Sequence, residues 1–285
     1  MTILDGKITS QKIMDSLKDE VSNLDFVPTL DIVIVGNDPS SQKYVAMKQE
    51  KAQDVGIGGK IHQLNHDSTT DEVLSLVQNL NQDQKVNAFM IQLPLPSQID
   101  TQKVLSSINP KKDADGLSPF NLGLLFQKKS TGIASATALG IIKLLEEYQI
   151  DINGKNVVII GRSPEVSIPL FALLMANNAT VTICHTQTKN LMEICQQADI
   201  LISSIGKPNF FGKDFIKPNA VIVDVGFVAD SATGKTTGDF DYDQVAPISS
   251  FITPVPGGVG PMTITSLLYN TVQIAKNQKY EENNL

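Results

Sequence analysis

A chain of 285 residues, 41% hydrophobic and 19% charged, can bury one large core or two modest ones and is not composed like a disordered protein. A formal charge of −7, with no segment dominated by Lys and Arg, argues against a nucleic acid or an anionic membrane as partner. Cys184 and Cys195 are too few for a disulfide framework, residues 1–20 carry too many charges for a signal peptide, and no apolar run reaches bilayer length, so a soluble, cytoplasmic protein is expected.

Apolar runs of strand length alternate with helical patterns along the chain, which predicts an α/β protein with a mainly parallel sheet. Leu30 to Val35 is the first clear strand and ends at Gly36-Asn37-Asp38-Pro39; a helix follows from about Ser40 to Val55 and stops at Gly56. Lys60 to Leu64 reads as a strand, on which His62 and His66 form no ready chelate, and no metal site is expected. Thr69 and Glu72 have the spacing of a capping box and open another helix. Val86 to Gln92 is a strand terminated by Leu93-Pro94-Leu95-Pro96. Thr137 to Tyr148 is a helix, and the strands Val157–Ile160, Thr180–Cys184, Ile200–Ser203 and Val221–Val225 follow, separated by helix-length sequence. Residues 137–261 are read as a doubly wound dinucleotide-binding domain. Met262 to Lys279 is an amphipathic helix expected to pack back on the first domain, which is taken as residues 1–136 with 262–285.

Tyr44 and Lys48 are four apart on the helix after the first strand, so their side chains are neighbours at the strand's carboxyl end, where α/β sheets place ligands. The strand ending at Gln92 points to the same edge, and Lys112-Asp113-Ala114-Asp115-Gly116 supplies carboxylates in a turn-rich loop. Each residue also has an ordinary structural reading: helix surface for the Tyr/Lys pair, a strand end for Gln92, turn formation for Asp113 or Asp115.

Taken together they match a family. Ser40 to Lys48 with Gly56-Ile57, Gln92 to Pro96, Lys112 to Gly116, and Thr253-Pro254-Val255-Pro256-Gly257-Gly258-Val259-Gly260-Pro261-Met262-Thr263 resemble, in order, the signatures of the bifunctional methylenetetrahydrofolate dehydrogenase/cyclohydrolases, and the likeness runs from Asp5-Gly6-Lys7 to the last helix. The resemblance implies oxidation of 5,10-methylenetetrahydrofolate by a nicotinamide dinucleotide and hydrolysis of the methenyl product to 10-formyltetrahydrofolate. It gives Lys48 the general acid/base role, which burial would serve by weakening its hold on the proton. It gives Tyr44 contact with the folate, Gln92 the tuning of Lys48, Leu93 a place in the substrate site, and Asp115 the grip on the pterin. Pro256 and Gly257 would let backbone approach the substrate. A homodimer through the cofactor domain is implied as well.

Strand Val157–Ile160 running into Gly161-Arg162-Ser163 and a helix is the arrangement expected for pyrophosphate at a helix N-terminus, although GxGxxG is absent. The family pattern resembles G-R-S-x-x-V-G-x-P; Gly161, Arg162, Ser163, Val166 and Pro169 match it, while Ser167 replaces the second glycine and Glu165 adds a negative charge. A serine is accommodated there if its φ is negative and its hydroxyl faces the ligand. The strand ending at Cys184-His185-Thr186 offers no acid to a ribose 2′-hydroxyl, whereas His185, Thr186 and Arg162 suit a 2′-phosphate, which favours NADP over NAD. Gly206, after another strand, completes the cofactor set. Further departures from the family are Ser135-Ala136-Thr137-Ala138-Leu139-Gly140 at the domain entrance and Val228 in place of an asparagine. Two rival readings remain at this stage: an amino-acid or shikimate-type dehydrogenase, which would explain the nucleotide half but not Gln92–Pro96 or Pro254–Met262, and a folate-binding or cyclohydrolase-only relative with impaired dinucleotide binding.

Overall fold

A computed structural model of the chain describes residues 1–127, 132–229 and 236–283. It divides into two compact units, Lys12–Ala136 with Ile264–Leu285, and Met1–Gln11 with Thr137–Thr263.

The first unit is built on three parallel strands in the order Ile61–Leu64, Leu30–Val35, Ala88–Ile91. All six residues of Leu30–Val35 are buried, as a central parallel strand covered on both faces requires. Its alternation divides the core: Leu30, Ile32 and Ile34 join Met14, Leu17, Val45 and Ala52, while Val33 and Val35 join Val73, Val77, Leu80 and Phe89. The helix Pro39–Asp54 starts where the Asp38 carboxylate accepts the Ser41 N–H at 2.7 Å, with Pro39 in its first turn, and the chain leaves it through Gly56 at φ +86°. The capping box at Thr69 forms in both directions, with Glu72 N–H donating to Thr69 Oγ1 and Thr69 N–H to Glu72 Oε2 at 2.7 Å. His62 pairs with buried Asp31 across the sheet at 2.6 Å. The last helix, Val259–Asn283, starts earlier and ends later than its sequence pattern indicates; Leu267, Leu268, Val272 and Ile274 carry it into the core of this unit.

The second unit is a six-stranded parallel sheet in the order Thr2–Ile3, Phe251–Ile252, Val221–Asp224, Ile200–Ser203, Asn156–Ile160, Thr180–Cys184. The chain runs outward from Asn156–Ile160 to Thr180–Cys184, then crosses back to the other side, so the topological switch lies between the carboxyl ends of Asn156–Ile160 and Ile200–Ser203. This is the doubly wound arrangement, and the switch is where such sheets take dinucleotides. The placement of the N-terminus departs from the sequence reading: Leu4 N–H donates to Ile252 O at 2.8 Å and Thr2 N–H to Ser250 O at 2.7 Å, so residues 1–11 belong with this unit and not with 12–136. Two-residue strands such as Thr2–Ile3 and Phe251–Ile252 are too short to leave a periodic signal. Among the described residues no helix is long and apolar enough to cross a membrane.

Candidate functional site

The buried face of the helix Pro39–Asp54 is Ser41, Val45, Lys48 and Ala52, so a lysine occupies a stripe otherwise fit for the core. Lys48 is 8% exposed. Its Nζ donates to Gln92 Oε1 at 3.0 Å and lies 3.4 Å from Met90 Sδ, both from the strand that ends at the same edge. Gln92 is held in turn, since its Nε2 donates to Leu93 O at 2.6 Å and its N–H to Val33 O at 2.8 Å; the carboxamide therefore presents its oxygen to the amine. Burial pushes the Lys48 ammonium below the usual lysine value, and the charge of Asp115 opposes that shift without cancelling it. Tyr44, one turn earlier at the border of the stripe, is 36% exposed, and partial burial raises its phenol above the usual tyrosine value, so it stays a hydroxyl donor.

The loop carboxylates, equivalent on paper, have separate tasks. Asp113 is buried and accepts Ser118 N–H at 2.7 Å, Leu117 N–H at 3.3 Å and Asn121 Nδ2 at 3.1 Å, which fixes the turn. Asp115 is half-buried and exerts its charge on Lys48. Its backbone carbonyl accepts Ala136 N–H at 3.2 Å, and Gly116, at φ +66°, leaves no room for a Cβ, which would stand 2.5 Å from Ala134. Asn270 of the last helix locks this turn by donating to Ala114 O at 3.0 Å and Ala134 O at 2.9 Å, a role no local sequence signal announced. Lys112, adjacent in sequence, spends its ammonium on Leu80 O and Asp83 O at the end of the helix Thr70–Gln82. Tyr44, Lys48, Gln92, Leu93 and Asp115 thus lie in one unit; Pro256, Gly257 and all the dinucleotide candidates lie in the other.

In that second unit Gly161 ends the strand Asn156–Ile160 at φ +128°, a conformation that favours glycine, and a Cβ there would meet Ser204 Oγ at 2.6 Å and Ser167 Oγ at 2.9 Å. Ser163 Oγ accepts Val166 N–H at 3.2 Å and Ser163 O accepts Ile168 N–H at 3.1 Å, which winds the chain into the helix Ser167–Ala176. Val166 at the cap position offers no side-chain acceptor to the first turn, although of that turn's amides Ile168 N–H already goes to Ser163 O and Pro169 carries none. Ser167 lies outside the positive-φ region and is fully buried, and its hydroxyl bonds Ser204 Oγ at 2.9 Å. One half of the expectation for this serine therefore holds, since the backbone tolerates it; its hydroxyl is engaged with Ser204. Glu165 is half-buried with an interaction of its own.

Arg162 is exposed beside Gly161. At the neighbouring strand end, Gln187 N–H donates to His185 Nδ1 at 3.1 Å and His185 N–H to Thr188 Oγ1 at 2.8 Å, which leaves His185 Nε2 as the ring's donor and Thr186 exposed. Gly206, at φ +64°, sits in a turn pinned by Asp239, whose buried carboxylate accepts Ser203 Oγ at 2.7 Å, Ile205 N–H at 2.8 Å and Lys207 N–H at 2.8 Å. The sequence reading missed Asp239. The glycine-rich stretch also has an internal reason for its glycines: Gly6 and Gly258 approach so closely that a Cβ on Gly6 would overlap Gly258 O, and Lys7 N–H donates to Gly257 O at 3.2 Å.

Comparison with known proteins agrees over almost the whole length. The profile of the tetrahydrofolate dehydrogenase/cyclohydrolase catalytic domain matches residues 4–115, and that of the NAD(P)-binding domain of the same family matches residues 135–279. The chain is 46% identical to the bifunctional protein FolD of Lacticaseibacillus paracasei, over 97% of this chain and 98% of the relative. Among solved structures, the bifunctional FolD of Campylobacter jejuni superposes with a TM-score of 0.95 at 42% identity, covering 98% of this chain and 99% of that one. The Trypanosoma brucei enzyme, solved with NADP and an inhibitor, gives 0.93 at 34% identity, covering 98% of each.

Proposed function

Because the chain belongs to the tetrahydrofolate dehydrogenase/cyclohydrolase family, we propose that it oxidises 5,10-methylenetetrahydrofolate to the 5,10-methenyl compound with NADP and hydrolyses that product to 10-formyltetrahydrofolate. The observation that carries this reading is the buried ammonium of Lys48, 3.0 Å from Gln92 Oε1 in the charge field of Asp115.

Hydride loss from the methylene carbon needs alignment more than acid or base, and Tyr44, Leu93 and Asp115 supply it, the Asp115 carboxylate accepting from the pterin's amide and amino groups. NADP, when bound, supplies the hydride acceptor. The residues of the second unit fit such a dinucleotide: an uncapped helix N-terminus beyond Gly161 for the pyrophosphate, and Arg162 with Thr186 and His185 Nε2 for the 2′-phosphate at a strand end that lacks an acid. Hydrolysis adds water to the methenyl carbon, and the adding water must lose a proton before the ring opens. Lys48 takes that proton and returns it to the leaving ring nitrogen, the adduct's remaining hydroxyl proton passing to solvent as the formyl C=O forms, and burial favours the exchange by weakening the ammonium form. Gln92, an acceptor without charge, orients the amine and does not trap its proton as a carboxylate would.

The family match over almost the full length of both domains favours the two-activity reading over a relative that has lost its dinucleotide and over the shikimate-type alternative. A homodimer joined through the dinucleotide unit and residence in the cytoplasm complete the reading; sedimentation equilibrium tests the former. The deciding experiment is a spectrophotometric assay with methylenetetrahydrofolate and each dinucleotide in turn: NADPH formation followed by decay of the methenyl absorbance is expected. Hydrolysis without reduction of either dinucleotide would restore the folate-binding, cyclohydrolase-only alternative.

A further inference from the structure

Lys48 has a neighbour that the proposed chemistry has not used. Met90 is 1% exposed, two residues before Gln92 on the same strand and therefore on the same face, and its Sδ lies 3.4 Å from Lys48 Nζ. Met90 packs in the same core cluster as Val45 and Ala52, which flank Lys48 on the buried stripe of the helix. The amine thus directs two of its three hydrogens at fixed acceptors, Gln92 Oε1 and Met90 Sδ. In a tetrahedral group two fixed directions determine the third, and that third hydrogen is the one left for a reacting atom. The two acceptors differ in kind: the amide oxygen is strong and the thioether is weak. A second oxygen at the position of Met90 would hold the ammonium too firmly, and a hydrocarbon would leave the amine free to turn.

We propose that Met90 is a positioning residue for the hydrolytic step, its sulfur fixing the orientation of the Lys48 amine while stabilising the charged form only weakly. The inference rests on the assignment of Lys48 as the proton carrier. The charge that bears on Lys48 is that of Asp115, and Tyr44, one turn away on the same helix, is the neighbouring group that titrates; Met90 and Gln92 do not titrate.

The test uses two substitutions in the full-length enzyme. Met90→Leu keeps the volume and removes the sulfur; Met90→Gln supplies an oxygen in its place. The Lys48 ionisation is read by lysine side-chain NMR, assigned as the resonance lost in Lys48→Met, and from the pH profile of methenyltetrahydrofolate hydrolysis. Met90→Leu should lower it by about half a pH unit, and Met90→Gln should raise it by about one unit, the direction following acceptor strength. An unmoved ionisation in Met90→Leu, or shifts of the same sign in both variants, would overturn the proposal, because a residue that only fills space changes the rate without ordering the two shifts. Should Met90→Leu fail to fold, the upward shift in Met90→Gln decides alone, and its absence counts against the idea. The NMR titration does not depend on catalysis. Opposed shifts in a protein without hydrolytic activity would therefore defeat the functional reading and leave the coupling between Met90 and Lys48 intact.

Discussion

At Lys48 the chain buries a charged side chain among apolar neighbours, whereas at Gly161 it withdraws side chains from a turn and presents backbone. In the proposed chemistry the first region works through a proton affinity: Lys48 is buried on a stripe with Val45 and Ala52, and Gln92 gives its amine one strong neutral partner. The second works through shape. Gly161 carries no Cβ, Ser163 uses its hydroxyl on Val166 N–H, Ser167 turns to Ser204, and the first turn of the helix is left without a side-chain cap. Proton transfer needs a particular functional group, while anion binding by amides needs only a particular path of the chain. The backbone therefore tolerates a serine where the family pattern has glycine, whereas the proposed proton transfer depends on the Lys48 amine itself.

That contrast is open to direct attack. The largest effect is expected from Lys48→Met, which should lower methenyltetrahydrofolate hydrolysis by roughly three orders of magnitude, within the range for loss of a general acid/base, while folate still binds; fluorescence titration and the decay of methenyl absorbance measure the two halves, and unchanged hydrolysis would remove Lys48 from the chemistry. Gly161→Ala should do the reverse. The added methyl meets Ser204 Oγ at 2.6 Å in a backbone region hostile to alanine, at a cost of about 1–3 kcal/mol. NADP affinity should fall at least about tenfold, close to 1.4 kcal/mol, with hydrolysis retained. Equal loss of both activities would show that the two regions are not separable. Arg162→Ala sharpens the second region alone: the KM for NADP should rise about tenfold and that for NAD hardly at all, as the loss of one charge-assisted phosphate contact predicts. Equal effects on the two cofactors would place the 2′-phosphate elsewhere.

The last expectation concerns stability against pH and leaves both activities aside. Asp224 is buried near Asp239, and burial outweighs three backbone N–H donors, pushing its carboxyl up to about 6. A group whose folded value lies above its unfolded one stabilises the fold fully below the unfolded value of 3.8, and loses that contribution as pH rises through about 6. The loss is on the order of 3 kcal/mol from the size of the shift. Thermal melting between pH 4 and 7 should show the decline in wild type and a flatter curve in Asp224→Asn; parallel curves would exclude Asp224 as its source.

Much of both regions was legible beforehand, for identifiable reasons. The helix beginning after Asp38 declares itself through a cap, a proline and a glycine stop, and the Tyr44/Lys48 spacing follows from helical periodicity alone. Gln92 is placed by the proline that ends its strand. By contrast, Asp113 and Asp115 look alike in sequence, and only the amides of Leu117 and Ser118 distinguish the turn former from the carboxylate whose charge acts on Lys48.

By itself the sequence determined the alternation of strands and helices, the strand ends beside the turns, and the residue types placed there, because these depend on local periodicity and on motifs contiguous in the chain. Tertiary structure alone decided that Thr2–Ile3 joins the dinucleotide sheet, that Asn270 and Asp239 pin turns distant in sequence, that Ser167 faces Ser204, and that a thioether stands 3.4 Å from the Lys48 amine. Each of these is a pairing between segments far apart along the chain. Such pairings are set by packing and by the need of buried polar atoms for partners, and neither leaves a periodic trace in one dimension.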